Sequence, residues 1–148
     1  MTCVVARPGV LVTDSRETGE IKSARPKHFR VNGYLVGVAG DVGTWQAAQY
    51  AVAWPRQPSE RAFVRWLHRL HDDEKLNFDE VSFLVVTATE VYTLDGRAVT
   101  RGVAGAIGSG AAYALGYLRG CPDDLEGAVG AACYYDPYCA GPVVNVRL

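Results

Sequence analysis

Met1-Thr2-Cys3-Val4-Val5-Ala6 opens the chain, and its apolar, β-branched residues predict a strand that begins at the second residue. Threonine is small enough to permit removal of the initiator methionine, which would leave Thr2 with a free α-amine. An α-amine with an ordinary pKa of about 7.7–8.0 can take the proton of a hydroxyl near neutral pH. Many proteins begin Met-Thr without any catalytic consequence, so the interpretation of Thr2 as a nucleophile needs support from the rest of the chain.

Composition indicates one globular domain over residues 1–148. The chain is 49% hydrophobic and 21% charged, and its 148 residues suffice for one buried core but not for two. The formal net charge is −1 and acids and bases are interspersed, so we expect no nucleic-acid partner. No apolar run has the length of a membrane span, and the first residues lack a signal-peptide pattern. We therefore expect a soluble, cytoplasmic protein.

Cysteine and histidine spacing indicates no metal site. The four cysteines, Cys3, Cys121, Cys133 and Cys139, have neither a CxxC pattern nor zinc-ligand spacing, and we expect them to be reduced thiols. His68 and His71 lie three residues apart, as a metal-binding pair would, but no acid or cysteine completes the set. We interpret both histidines as residues of a helix surface and expect no metal and no cofactor.

Short β-rich runs alternate with turn signals over much of the chain. They predict strands at residues 2–6, 10–13, 27–31, 34–39, 81–88, 90–93, 98–101 and 142–146. Turns are indicated by residues 7–9, by Asn32-Gly33 and by residues 94–96. The first third of the chain is therefore expected to be a series of paired strands.

Two helices are predicted after these first strands. Apolar residues recur at helical spacing over 41–54, where Trp54-Pro55 ends the segment. Ser59 can cap a second helix that continues to the acidic residues 72–74. The tryptophans of this pair, Trp45, Trp54 and Trp66, are expected for the most part to pack in the core, with contacts between subunits as the alternative.

A second helix pair is predicted near the end of the chain. One helix follows the glycine-flanked serine at 108–110 and runs to about Arg119. Asp123 with Glu126 has the spacing of a capping box for the other. Each helix pair must cover one face of a sheet. We therefore predict an α+β fold in which two stacked antiparallel sheets lie between two helical layers.

Six short motifs occur along the chain in a characteristic order. They are Thr2 at the start of the first strand, Thr13-Asp14-Ser15-Arg16, Lys27-His28-Phe29-Arg30-Val31, Ala39-Gly40, Gly108-Ser109-Gly110, and the run from Asp136 to Asn145. In this order they resemble the β-type subunits of the proteasome family, which include the bacterial proteasome-like peptidase HslV, within the N-terminal nucleophile hydrolases. The resemblance spans nearly the whole chain and rests on the ordered set, because each motif alone is weak.

The resemblance implies a threonine peptidase that needs no metal and no cofactor. Thr2 would be the nucleophile, and Lys27 would lie beside its hydroxyl as a cation. Asp14 would keep Lys27 charged and oriented, and the amide of Gly40 would bind the developing oxyanion. Without the resemblance, Asp14 and Lys27 would be interpreted as a surface ion pair, and Gly40 as the turn between a strand and a helix.

Other matched positions would orient the amine and line the substrate pocket. The resemblance implies that Ser109 and Asp136 hydrogen-bond the α-amine of Thr2; the alternatives are a helix cap and a helix-end turn. Val38 and Val42 flank the oxyanion glycine and would line an apolar pocket. Cys139 stands where the family usually has serine. Lys22 is an alternative to Lys27 as the active lysine, although the residues after Lys27 fit the family pattern better.

The resemblance also implies partners. Family members form rings that enclose a chamber, so we expect a homo-oligomeric ring that cleaves peptides or unfolded proteins. The chain has no nucleotide-binding glycine loop, so any ATP-dependent unfoldase would be a separate protein. Two other functions stay open: a non-catalytic relative that serves as an assembly scaffold, and an amidohydrolase of the wider class that acts on a small molecule.

Overall fold

The computed structural model describes residues 2–15, 26–73 and 78–148. The first half contains the strands β1 (Val4–Arg7), β2 (Val10–Thr13), β3 (His28–Val31) and β4 (Tyr34–Gly40), then the helices α1 (Val42–Tyr50) and α2 (Glu60–Asp72). A short 3-10 helix, Phe78–Glu80, leads into β5 (Val81–Val86), β6 (Val91–Asp95), β7 (Ala98–Gly102) and β8 (Gly105–Ile107). The helices α3 (Ala111–Gly120) and α4 (Leu125–Tyr135) and the strand β9 (Val144–Arg147) follow.

The strands form two antiparallel sheets. The first sheet has the order β8-β1-β2-β9, and the second has the order β3-β4-β5-β6-β7. One hydrophobic cluster lies between the sheets, a second joins α1 and α2 to the second sheet, and a third joins α3 and α4 to the first sheet. The layers are therefore helices, sheet, sheet, helices, which confirms the α+β fold predicted from the sequence.

A glycine allows the two sheets to pack closely at the centre. Gly37 lies on β4, and a Cβ built there would lie 2.6 Å from Cγ1 of Val4 and 2.7 Å from Cδ1 of Leu11. Both partners belong to the first sheet and are completely buried. The absence of a side chain at Gly37 thus sets how close β1 and β2 come to β4.

The tryptophans of the first helix pair pack in the core, as the sequence predicted. Trp45 and Trp66 are 6% and 2% exposed. Trp54 stacks on Trp66 with ring centroids 4.2 Å apart, and its indole nitrogen donates to the carbonyl of Ala48 at 2.7 Å. These rings stabilise the helical layer over the second sheet and are not available for contacts between subunits.

Three local details differ from the sequence prediction. Helix α1 ends at Tyr50, four residues earlier than predicted, because the chain turns so that Trp54 can fill the core. Asp124, not Asp123, caps α4 by accepting a hydrogen bond from the amide of Gly127. Asp123 instead pairs with Arg7.

Some sequence features fall outside the described residues, namely Met1, Arg16, Lys22 and Glu74. Among the helices that the structure describes, none combines the length and the apolar character that crossing a bilayer requires.

Replacing Gly37 by alanine should destabilise the fold. The added methyl group would press on Val4 and Leu11 from the opposite sheet, and overpacking of this kind costs about 1–3 kcal/mol. The measurement is the free energy of unfolding from urea titration. Gly120→Ala is the control, because Gly120 is exposed and has nothing within 4 Å of its Cβ position. An effect of Gly37→Ala no larger than that of the control would contradict close packing of the sheets at this point.

Candidate active site

Strand register brings three predicted site residues to one end of the first sheet. β1 pairs with β2 so that Val4 lies opposite Thr13, and β1 pairs with β8 so that Val4 lies opposite Ile107. Thr2 precedes β1, Asp14 follows β2, and Ser109 follows β8. In antiparallel pairs, the start of one strand lies beside the end of its neighbour. These residues are therefore neighbours although up to 107 positions separate them in the sequence.

The second sheet contributes Lys27 in the same way. β3 pairs with β4 so that His28 lies opposite Gly37, and the carbonyl of Lys27 accepts a hydrogen bond from the amide of Val38 at 2.9 Å. Lys27 therefore lies beside the last residues of β4, which end at Gly40. The ammonium nitrogen of Lys27 lies 3.0 Å from Oδ1 of Asp14 and so joins the two sheets.

Asp14 is the centre of the site. Its Oδ1 accepts hydrogen bonds from the hydroxyl of Thr2 at 2.6 Å, the amide of Cys3 at 2.9 Å and the ammonium of Lys27 at 3.0 Å. Its Oδ2 accepts from the amide of Ala140 at 3.3 Å. Four donors around one carboxylate compensate for the loss of its hydration.

Burial excludes the interpretation of Asp14 and Lys27 as a surface ion pair. Asp14 is 0% exposed, Thr2 4% and Lys27 7%. A charged pair in such a place is costly to desolvate, and apolar residues of similar volume would often be equally stable or more so. The polar cluster therefore needs an explanation other than stability.

The two glycines beside Ser109 allow the backbone to approach Thr2. Gly108 has φ +94°, and a Cβ on it would overlap the carbonyl oxygen of Thr2. The amide of Gly110 lies 3.4 Å from that same carbonyl oxygen, to which it donates. Gly110, not Ser109, is the residue that precedes α3 as its cap. The helix-cap interpretation of Ser109 is thus wrong.

Asp136 lies at the end of α4 and is 4% exposed. Its Oδ1 accepts from the amide of Tyr138 at 2.9 Å, and its Oδ2 accepts from the thiol of Cys139 at 3.4 Å. Burial opposes ionisation of this carboxyl, but hydrogen bonds from Ser109, Tyr138 and Cys139 outweigh it and hold the pKa of Asp136 below its ordinary value. The carboxylate form is therefore the one that the site stabilises.

Ser109 and Asp136 thus belong to one cluster with Cys139. The Ser109 hydroxyl is 4.0 Å from the Cys139 sulfur, and interaction with Ser109 contributes to the lowered pKa of Asp136. The amide of Ala140, the residue after Cys139, reaches Asp14. The loop after α4 therefore connects the Asp136 cluster to the Asp14 centre.

The residues predicted to bind the oxyanion and the substrate differ in their exposure to solvent. Gly40 has φ +115° and lies so close to Glu80 that a Cβ would overlap the Glu80 carbonyl, so the turn predicted at this point is present. Val42, the first residue of α1, is 40% exposed. Val38 is only 1% exposed and packs in the core under α1 and α2. The structure therefore leaves Val42 accessible and encloses Val38.

The backbone donors of the site were not predicted from the sequence. The amides of Cys3 and Ala140 both bind Asp14, but an amide is present at almost every residue and its direction leaves no trace in the sequence. The described residues also include no group of three or more histidine, cysteine or acidic side chains arranged to hold a metal ion.

Solved structures of the same fold are similar over the whole chain. The protein named BPH from Thiobacillus denitrificans, in complex with epoxomicin, aligns with a TM-score of 0.78 and 19% identity over 99% of this chain and 97% of the other. A second structure of Thiobacillus denitrificans BPH gives a TM-score of 0.77 and 19% identity, with 99% of this chain and 96% of the other covered. Eukaryotic HslV from Trypanosoma brucei gives 0.74 and 21% identity, with 99% of each chain covered.

These similarities confirm the fold predicted from the motifs. The chain has the proteasome-type peptidase fold of HslV. No protein-family model matches the sequence, and no curated protein matches it either.

Breaking the ion pair from the lysine side should strongly destabilise the protein. Lys27→Met would leave the carboxylate of Asp14 buried without its cation, which costs about 3–5 kcal/mol in urea unfolding. The double variant Asp14→Leu with Lys27→Met should recover part of that loss, because neither charge then remains buried.

Arg101→Met provides the matched control. Arg101 forms an ion pair with Glu90 in which the side chains are 56% and 36% exposed, so its loss should cost about 1 kcal/mol or less. Equal effects of Lys27→Met and Arg101→Met would show that the Asp14 centre is not sealed from solvent.

Proposed function

We propose that this chain is the subunit of a threonine-type peptidase that uses Thr2 as its nucleophile after removal of Met1. The observation that carries the proposal is the contact between the buried Thr2 hydroxyl and the carboxylate that also binds Lys27. A weak nucleophile is activated in enzymes by an adjacent base and a nearby charge. Both are available to Thr2 once its α-amine is free.

The first half of the proposed reaction forms an ester. The Thr2 oxygen attacks the carbonyl carbon of a peptide bond while the α-amine takes the hydroxyl proton. The amide of Gly40 binds the oxyanion, a contribution of roughly 2.7–4 kcal/mol for such a donor. The ammonium then returns its proton to the leaving amine as the carbon-nitrogen bond breaks, which leaves an acyl group on the Thr2 oxygen.

Water completes the reaction. The α-amine takes a proton from a water molecule as the oxygen of that water attacks the carbonyl carbon of the ester. The ammonium then gives this proton to the Thr2 oxygen, which leaves as a hydroxyl. The acid product departs and the enzyme is regenerated without any metal or cofactor. Throughout, Lys27 favours the alkoxide form of Thr2, and Asp14 keeps Lys27 charged. Ser109 and Asp136 orient the α-amine.

Substrate selection is proposed to involve the start of α1. Val42 is accessible and lies two residues from Gly40, so it would contact an apolar side chain of the substrate. Val38 would support this pocket from the core. The substrates would be peptides or unfolded proteins, supplied by a separate unfoldase if folded proteins are degraded.

The geometry favours an enzyme over a scaffold. A protein that served only in assembly would gain nothing from keeping Thr2, Asp14 and Lys27 buried together, since apolar residues could fill the same space. A small-molecule amidohydrolase is the second candidate, and it would be distinguished by its size in solution and by failure to cleave peptides.

A covalent probe tests the nucleophile. Epoxomicin, the ligand of the similar Thiobacillus denitrificans protein, should add one molecule to chains that begin at Thr2, as read by intact mass. Thr2→Ala should not be labelled and should lose peptidase activity by a factor of about 10⁴ or more. Thr44→Ala is the control, because Thr44 lies on α1 and its hydroxyl bonds only Asp41 among the described residues. Labelling that survives Thr2→Ala would refute the proposal.

Self-association is proposed to use the outer face of α3 and α4. Tyr113, Tyr134 and Tyr135 are 46%, 82% and 63% exposed, and their rings contact one another, with Tyr113 stacked on Tyr135 at 5.6 Å. Leu115 adds a further exposed apolar side chain. Each helix carries a single charged residue, Arg119 or Glu126, and helices that are apolar all round are normally covered. A second copy of the chain is the proposed cover, as part of a cytoplasmic ring.

Replacing the tyrosine pair tests this face. Tyr134→Ser with Tyr135→Ser should reduce the size of the assembly in multi-angle light scattering, because the apolar contact area is removed. Tyr50→Ser is the control, since Tyr50 is 79% exposed on α1, in the opposite helical layer. A particle of unchanged size in the double variant would rule out α3 and α4 as the contact.

A further inference from the structure

Two buried cysteines lie near each other beside the residues of the candidate site. Cys3 follows Thr2 directly and is 0% exposed, and Cys139 is 2% exposed. Both belong to the hydrophobic cluster between the first sheet and the helices α3 and α4. A Cβ built on Gly110 would lie 2.8 Å from the Cys139 sulfur and 3.0 Å from Cβ of Cys3. The two cysteines therefore flank the same point.

Cys139 also contacts the residues proposed to orient the α-amine. Its thiol donates to Oδ2 of Asp136 at 3.4 Å and lies 4.0 Å from the Ser109 hydroxyl. The next residue, Ala140, donates its amide to Asp14 at 3.3 Å. Movement of the Cys139 sulfur would thus disturb the Asp136 cluster and, through one residue of backbone, the Asp14 centre.

We propose that Cys3 and Cys139 form an oxidation site at which a hydroperoxide closes a reversible disulfide and switches the site off. The effect on catalysis rests on the proposed peptidase function, whereas the covalent chemistry does not.

The chemistry proceeds in two balanced steps. The Cys139 thiolate attacks the terminal oxygen of a hydroperoxide, the oxygen-oxygen bond breaks, and the alkoxide or hydroxide that leaves takes up a proton. Cys139 becomes a sulfenic acid. The Cys3 sulfur then attacks the Cys139 sulfur, the disulfide forms, and water leaves with the Cys3 proton. A small thiol reverses the change by two successive thiol-disulfide exchanges.

The order of the two cysteines follows from the opposite shifts of their pKa values. Interaction with Cys139, together with burial, raises the pKa of Cys3 far above its ordinary value. Interaction with Cys3 lowers the pKa of Cys139, although burial opposes this. The thiolate is the form that reacts with oxidants, so Cys139 is oxidised first and Cys3 resolves it.

Formation of the disulfide would remove the hydrogen bond from Cys139 to Asp136. The Cys139 sulfur loses its proton and is drawn towards Cys3, so Asp136 loses a donor and Ser109 loses its neighbour. Misplacement of reacting groups by about 1 Å can reduce a rate by about 100-fold, and we expect a loss of that size.

The test is made on the full chain with Met1 removed, treated with hydrogen peroxide and then with an alkylating reagent. Peptide mapping by mass spectrometry should find a Cys3–Cys139 cross-link in the wild type and in Cys121→Ser and Cys133→Ser. Cys121 is exposed and Cys133 is partly buried, so they control for general thiol oxidation. The cross-link should be absent in Cys139→Ser and Cys3→Ala.

Activity is compared as the ratio after and before oxidation within each variant. Peptide hydrolysis should fall by about 100-fold in the wild type and recover with dithiothreitol, and it should not fall in Cys139→Ser. Alkylation of both Cys3 and Cys139 when the oxidised protein is unfolded in the presence of the reagent would overturn the proposal. So would a cross-link that leaves hydrolysis unchanged. A reduced protein with no peptidase activity would instead refute the proposed function, and the cross-link would still be decided by mass.

Discussion

One buried carboxylate, that of Asp14, links the three segments that form the candidate site. Asp14 accepts hydrogen bonds from the chain start, from the lysine that begins the second sheet and from the loop after the last helix. These three segments come from different layers and different parts of the sequence. Their positions relative to one another therefore depend on a single group that is completely enclosed. Removing any donor leaves charge without compensation, so the arrangement tolerates little variation.

The fold was largely predictable because its elements are strongly patterned. β-branched runs between turn residues identified the strands, and helical spacing together with cap and stop residues identified the four helices. The sequence did not predict how the strands are distributed between the two sheets. β8 is only three residues long and pairs with the first sheet, whereas β7, three residues earlier, belongs to the second. A strand of that length has no periodicity to detect, and its partner is chosen by packing.

The part of the candidate site that is formed by side chains was predictable from the sequence. Thr2, Asp14 and Lys27 were all identified from motifs, and the structure brings them together. The amides of Cys3 and Ala140 could not be identified, because their role comes from the direction of the backbone. Val38 shows a related limit: its place two residues before Gly40 in the sequence says nothing about which face of β4 it occupies, and that face is the core.

The strand order has a consequence for synthesis on the ribosome. The second sheet comes from one continuous stretch, from β3 to β7, so it can form while the chain is still emerging. The first sheet joins β1 and β2, near the beginning, to β8 at residues 105–107 and to β9 at residues 144–147. The surroundings of Thr2 are thus completed only after residues 140–147 have been synthesised. A nascent chain carries Thr2 from the first moment, but the centre around Asp14 can assemble only once the loop after α4 has left the ribosome.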